Sequence, residues 1–236
     1  MERLDKFIAS QSMLTRTEAQ ELLKQGRVTV NGVAQKKYDF KINFGTDKVS
    51  IDGNEIVYRK YIYIMMNKPQ GVISATEDKA ETVLDLVPEE YMRKGLFPAG
   101  RLDKDTEGFL IITDDGGFAH NMMSPKKHVE KEYEAVLDEP VSAEEKALFE
   151  NGGITIDGDA CKPAILKIID KNAEFYTVRA IITEGKYHQV KRMFAAVGKQ
   201  VLHLKRVRIG QVFLDKSLNS GQCREMSKSE VETILT

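Results

Sequence analysis

A chain of 236 residues, 42% hydrophobic and 30% charged, can bury one or two substantial cores. Only six prolines and no biased tract argue against a disordered chain. The charged opening MERLDKFIASQ has no apolar h-region and no later stretch reaches roughly 18 apolar residues, which argues against a signal peptide or membrane span and leaves a cytoplasmic protein as the expectation. Cys161 and Cys223 lack a CxxC neighbour, and His120, His128, His188 and His203 lack metal-site spacing, so neither disulfide nor metal is expected. A net charge of −1 hides segregation: residues 186 to 208 hold Lys186, Lys191, Arg192, Lys199, Lys205, Arg206 and Arg208 and no acid, whereas residues 134 to 159 hold eight acids against Lys146. Such segregation suits a polyanion-binding face.

The chain opens with Leu4, Phe7 and Ile8 on one helical stripe. Thr15-x-x-Glu18 is a capping box that predicts a second helix, ended by Gly26. RVTVNGVAQ and DKVSIDGNEI then read as strands around the turns Asn31-Gly32 and Asp52-Gly53. In this order RLDKFIA, TRTEAQELLKQGRVTVNG and DKVSIDG resemble the S4 RNA-binding module. The resemblance implies that Arg3, Lys6, Arg16, Lys24 and Arg27, with Asn31 in the turn, contact RNA, although from charge alone these bases would read as a solvated helix face.

EIVYRKY reads as the linker, which places an S4-like domain at residues 1–58 and a catalytic domain at 59–236. Longer strands follow at Tyr61 to Met66, Phe109 to Thr113, Tyr133 to Leu137, Ala164 to Ile169, Phe175 to Ile182 and Val201 to Ile209. Helices are expected near 81 to 87, 117 to 123, 143 to 151, 186 to 197 and 227 to 235. Without regular βαβ alternation this predicts an α+β fold whose sheet is mixed and largely antiparallel.

GRLDKDTEGFLIITDDGG crowds Asp103, Asp105 and Glu107 into a short segment before an apolar strand. Taken alone, these acids could wet a loop and satisfy its donors, perform glycoside chemistry as a pair, or hold a divalent metal. The companions decide: NKPQGVISA, GRLDKDTEGFLIITDDG, KEYEAV and EGKYHQVKRMFAAVG followed by LKRVRIG together resemble the pseudouridine synthases of the RsuA/RluB/RluE/RluF type over nearly the whole chain.

That resemblance assigns the chemistry to Asp103, with Asp105, Thr106 and Glu107 shaping its loop. Isomerising uridine breaks N1 from ribose C1′, turns the free uracil and joins C5 to C1′, so no cofactor is expected. A carboxylate can attack C1′ or take a proton from C2′. By the same resemblance Tyr133 stacks on a flipped-out base, and Lys191 or, second, Arg192 stands beside the acid to keep it charged. Some relatives carry Arg where Lys191 stands, and Arg192 could meet phosphate instead. Arg101 would enter the RNA helix to help extrude the base, and Leu204 would pack under the pocket, a place that core packing alone would also explain. His188 reads as structural or RNA-contacting, because the isomerisation requires no histidine base.

EGKYHQVKRMFAAVG looks more like the enzymes acting on 16S ribosomal RNA than those acting on 23S, which tend toward EGRNRQVRRM. The expected partner is therefore ribosomal RNA, in a small-subunit assembly intermediate, with the protein a monomer and neither membrane nor small-molecule cofactor involved. A non-catalytic RNA-binding assembly protein and a glycoside hydrolase are the competing classes; the set Asp103, Tyr133 and Lys191 favours the isomerase over both.

Overall fold

The computed structural model describes residues 1–171 and 176–235. β1 (Glu2–Arg3) runs into α1 (Leu4–Ser10), and α2 (Arg16–Lys24) starts on the capping box, Thr15 Oγ1 accepting from the Glu18 amide and the Glu18 carboxylate from the Thr15 amide. At its end Gly26, with φ 76°, lets the Gly26 and Arg27 amides reach the Leu23 and Leu22 carbonyls. β2 (Val28–Val30) and β3 (Val33–Ala34) are joined through Asn31 and Gly32, both at positive φ, as a two-residue hairpin of this twist requires. β4 (Lys41–Ile42) pairs with β1, while β5 (Val49–Ile51) and β6 (Asn54–Ile56) complete the antiparallel order β3-β2-β5-β6. Leu4, Phe7, Ile8, Leu23, Val28 and Ile42 are its buried core.

The chain divides into two compact units, one comprising Met1–Ile62 with Pro88–Leu96 and the other Tyr63–Val87 with Phe97–Thr236. Segment 88–96 thus returns to the first unit: buried Arg93 donates to the Arg59 carbonyl at 2.7 Å and to Gln11 Oε1 at 3.2 Å.

The second unit runs β7 (Tyr63–Lys68), β8 (Phe97–Ala99), β9 (Glu107–Thr113), α3 (Gly116–Met123), β10 (Lys131–Leu137), α4 (Ala143–Glu150), the small hairpin β11 (Thr155–Ile156) and β12 (Asp159–Ala160), then β13 (Ile165–Lys171), β14 (Tyr176–Ile182), α5 (Gln189–Ala196), β15 (Val201–Ile209), β16 (Val212–Phe213), β17 (Cys223–Glu225) and α6 (Lys228–Ile234). Its sheet follows the order β13-β14-β10-β15-β9-β7-β17, with β16 on β15 and β8 on β9. Every pair in it is antiparallel except β15 with β9, which run parallel with Lys205 opposite Glu107. The expected mixed, largely antiparallel α+β architecture is what forms. Val190, Met193 and Phe194 put the apolar stripe of α5 into one core with Leu137, Val178 and Leu204; Phe118 and Met122 of α3 and Ile234 of α6 share another with Phe109 and Ile209.

One expected helix is absent. Residues 81 to 87 form turns instead, because Asp85 Oδ2 accepts from both the amide and hydroxyl of Thr82, and Val83 and Glu81 exchange backbone hydrogen bonds with Ile73. The helix expected from 186 begins only at Gln189, since residues 186 to 188 are a braced turn. The strand expected from Phe175 is described from Tyr176; Phe175 itself lies outside the described residues.

Candidate active site

The segment between β8 and β9 that carries Asp103 is held from below by a lysine. Lys68, fully buried at the end of β7, donates from Nζ to the carbonyls of Pro69 at 3.0 Å, Asp103 at 3.1 Å, Lys104 at 3.3 Å and Thr106 at 3.0 Å. Three ammonium protons shared among four carbonyls leave the loop little freedom. Burial pushes Lys68 down to about 8, against the pull of Asp103, Asp105 and Glu107. Buried Ser74 grips Leu102 in both directions, accepting from its amide at 3.1 Å and donating to its carbonyl at 2.8 Å. Gly108, with φ 99°, lets β9 meet β15: a Cβ there would sit 2.3 Å from the Arg206 carbonyl oxygen.

From the other side α5 supplies charge. Lys191 Nζ lies 3.4 Å from Asp103 Oδ2 and 2.5 Å from Asp105 Oδ1, and its bond to Asp105 holds that carboxyl below its ordinary value despite partial desolvation. His188 stands at the N-cap of α5 in the left-handed region, with φ 49°, and puts Nε2 3.3 Å from Asp103 Oδ1. Arg192, the second candidate for that role, is instead paired with Asp157 in the β11–β12 turn. The next helical position points about 100° away, so one residue reaches Asp103 and its neighbour does not.

The cleft above Asp103 is lined by Tyr133, Lys131, Ile182, Glu184, Leu204 and Arg206, among others. Lys131 and Tyr133 lie two apart on β10, on one face. Arg206, opposite Tyr133 in register and buried, donates to the Phe109 carbonyl at 2.7 Å, the Gly100 carbonyl at 3.2 Å and the Tyr133 hydroxyl at 3.4 Å. It ties the tyrosine to both ends of the Asp103 loop. Lys131 donates to the Met122 carbonyl at 3.0 Å near the end of α3, and burial lowers it to about 8. Leu204 is buried in the core beneath, and exposed Arg101 lines the cleft mouth.

Asp103, Tyr133, Arg101 and Leu204 thus line one cleft; Lys191 is not among its lining residues and reaches Asp103 from beside it, bridging to Asp105, while Glu107 pairs with His203. The basic run 186–208 is less of a surface than its sequence suggests: Arg206 and Arg208 are buried, Arg208 pairs with Glu132 at 2.7 Å and Glu130 at 2.8 Å, and Lys199 pairs with Glu139 and Glu145. In the first unit Arg3 at 2.9 Å and Arg16 at 3.5 Å converge on buried Asp5, whose carboxyl is lowered by these partners and Gln20 against its own desolvation. Lys6 pairs with Glu2, Lys24 with Glu21 and Arg27 with Asp52; all five bases stay partly exposed. Asn31 spends its side chain on Asp47 and the Lys48 amide, an internal turn role rather than an open hydrogen-bonding edge. Sequence reasoning missed Lys68 and Arg206; their signal is a cation inside an apolar strand, which is affordable only when backbone carbonyls converge on it.

Residues 62–196 match the RNA pseudouridylate synthase family and residues 2–48 the S4 domain. The chain is 45% identical over 98% of its length to an uncharacterised RNA pseudouridine synthase, YtzG, of Bacillus subtilis, which it also covers to 98%. It is 44% identical to ribosomal small subunit pseudouridine synthase A of Vibrio cholerae, covering 98% of this chain and 99% of that one, and 41% identical to the protein of that name from Escherichia coli, covering 99% and 100%. A crystal structure of a pseudouridylate synthase superposes over 99% of this chain and 100% of its own with a TM-score of 0.68 at 39% identity. On these matches and the cleft just described, the chain belongs to the RNA pseudouridine synthases of the RsuA type, an S4 domain joined to a synthase domain.

Proposed function

We propose that this enzyme isomerises one uridine of 16S ribosomal RNA, at the position equivalent to uridine 516, in a small-subunit assembly intermediate in the cytoplasm. The observation that supports the reading best is the convergence of Asp103, Tyr133 and Lys191, with Lys191 Nζ 3.4 Å from Asp103 Oδ2 in the cleft that Tyr133 lines. In this reading Asp103 acts on the ribose, at C1′ as nucleophile or at C2′ as base, and both routes start from the ionised carboxylate beside Lys191. Tyr133, fixed by Arg206, stacks on the uracil while it turns, and Arg101 at the cleft mouth fills the place that the flipped nucleotide leaves. The bases of residues 1–58 dock the RNA, and residues 59–236 carry the reaction. Asn31 and Arg192 contact RNA in the same reading, each exchanging its present partner, Asp47 or Asp157, for the RNA. The protein works as a monomer and takes no cofactor.

The test is to incubate the protein with 16S and 23S transcripts and locate new pseudouridines by chemical mapping. A single new site in 16S is expected. A site only in 23S would redirect the target within the family, and none in either would remove the enzymatic reading.

A further inference from the structure

Beside the cleft that holds Asp103 and Tyr133 a second groove opens, sharing Asp103 and Arg101 with it and lined further by Ile73, Lys104 and Tyr187. Tyr187 is unusual in this molecule. The residue is 74% exposed, yet its ring lies on that of His188, with centroids 3.8 Å apart and planes 20° from parallel. Exposed tyrosines ordinarily sample several rotamers, and the segment carrying this one is fixed at every turn. Gln189 donates to Glu184 at 2.6 Å and accepts from the Lys186 amide at 2.8 Å, Lys186 Nζ donates to the Ala160 carbonyl at 2.8 Å, and Arg192 Nη1 donates to the Tyr187 carbonyl at 3.5 Å. His188 holds a left-handed backbone, with φ 49°, at an N-cap where its side chain caps nothing and contacts Asp103 instead. Non-glycine residues hold that conformation only when their surroundings over-determine it.

We propose that Tyr187, backed by His188, is the stacking platform for the nucleotide adjacent to the target uridine, so that the groove is a subsite for a flanking base of single-stranded RNA. The proposal rests on the reading of Asp103 as the acting group. When one uridine is drawn out to Asp103, its neighbour loses a stacking partner and must find another within one nucleotide of chain. Tyr187 offers a flat face on the groove that adjoins Asp103, already ordered, and so costs little conformational entropy on binding. The exposed cation Lys104 on the same groove fits the phosphate between the two nucleotides. Aromatic stacking of this kind accepts any base, so the subsite contributes affinity and order more than sequence choice.

The test uses the full chain and a pentaribonucleotide with a central uridine, carrying 2-aminopurine or an abasic site at either neighbouring position. Wild type should quench 2-aminopurine on one side. Tyr187→Ala should abolish that quenching and weaken binding roughly 5- to 150-fold, the range expected for one stacked base, whereas Tyr187→Phe should retain both. With the abasic probe, wild type and Tyr187→Ala should bind alike, and on the mapped ribosomal RNA the alanine variant should lose more in affinity than in saturated rate. Unchanged binding by Tyr187→Ala, an equal loss on the abasic probe, or a Phe variant as weak as Ala would overturn the platform. Coupling between Tyr187 and the flanking base without any pseudouridine in 16S or 23S RNA would leave the subsite standing and remove the functional reading instead.

Discussion

Asp103→Asn keeps the size of the side chain and removes its charge and nucleophile, so isomerisation should fall by at least ~1,000-fold while RNA affinity stays within a few fold. Single-turnover rates and binding on the same transcript check both halves, and appreciable residual turnover would move the role to Asp105 or Glu107. A glycine makes the second prediction. Gly108→Ala would put a methyl 2.3 Å from the backbone oxygen of Arg206 at a φ of 99°, where neither partner can yield. A loss of roughly 2–4 kcal/mol in urea unfolding is expected, because strain and overpacking add. At this scale the sequence was legible where a motif names a residue and silent where support comes from a distance. GRLD, read with its companion motifs, points to Asp103. Nothing local tells that Lys68 collects four carbonyls, or that Arg206 and Arg208 lie inside while their neighbours in the basic run lie outside.

Local chemistry decided most elements. The Thr15 box, the Asn31-Gly32 and Asp52-Gly53 turns and the strand Val201–Ile209 form where their residues demand. The helix expected near 81 to 87 failed because Asp85 took the Thr82 amide and hydroxyl while Ile73, a partner that no periodicity reveals, took the Glu81 carbonyl and the Val83 amide. α6 shows the same dependence in a testable form. Arg224 binds Glu230 at 2.7 Å and Asp215 at 2.6 Å, joining α6 to β17 and to the loop after β16. Glu230 is lowered to about 2 chiefly by Arg224; Asp215 reaches about 2 through Ser217 first and Arg224 after. With folded values below the ordinary carboxylate range, the unfolded chain binds protons first as pH falls, so this stabilisation is present above about pH 4.5 and lost toward pH 2. Arg224→Met should therefore lower the urea midpoint at pH 7 and approach wild type near pH 2. A gap that stayed constant across that range would assign the fork a packing role alone.

For the whole molecule, RNA docking and isomerisation should separate. Lys6 and Lys24 are exposed in the first unit, each paired among the described residues with a neighbouring glutamate, so Lys6→Glu with Lys24→Glu should leave the fold intact. Two lost phosphate contacts should flatten the log-log salt dependence of binding by about 1.5 to 2 units, with the rate at saturating RNA preserved. Salt titrations of both proteins decide it, and an unchanged slope would show that these lysines do not meet phosphate. Cutting residues 1–58 away is the coarser experiment, because it would strip segment 88–96 of the Gln11 partner that Arg93 holds.

The parallel seam between β9 and β15 joins Arg206 to Phe109 across 97 residues of chain, and to Gly100 across 106. Neither contact can form until almost the entire polypeptide has been made, and each closes a loop whose entropic cost is met only at that moment. Asp103 is made near the middle of synthesis, and although Lys68 already holds its loop, the strand that ties that loop to Tyr133 is still to come. The finished cleft is therefore acquired late, and ribosome-bound chains stalled before Arg206 is added should isomerise no uridine in added ribosomal RNA, which pseudouridine mapping of that RNA checks.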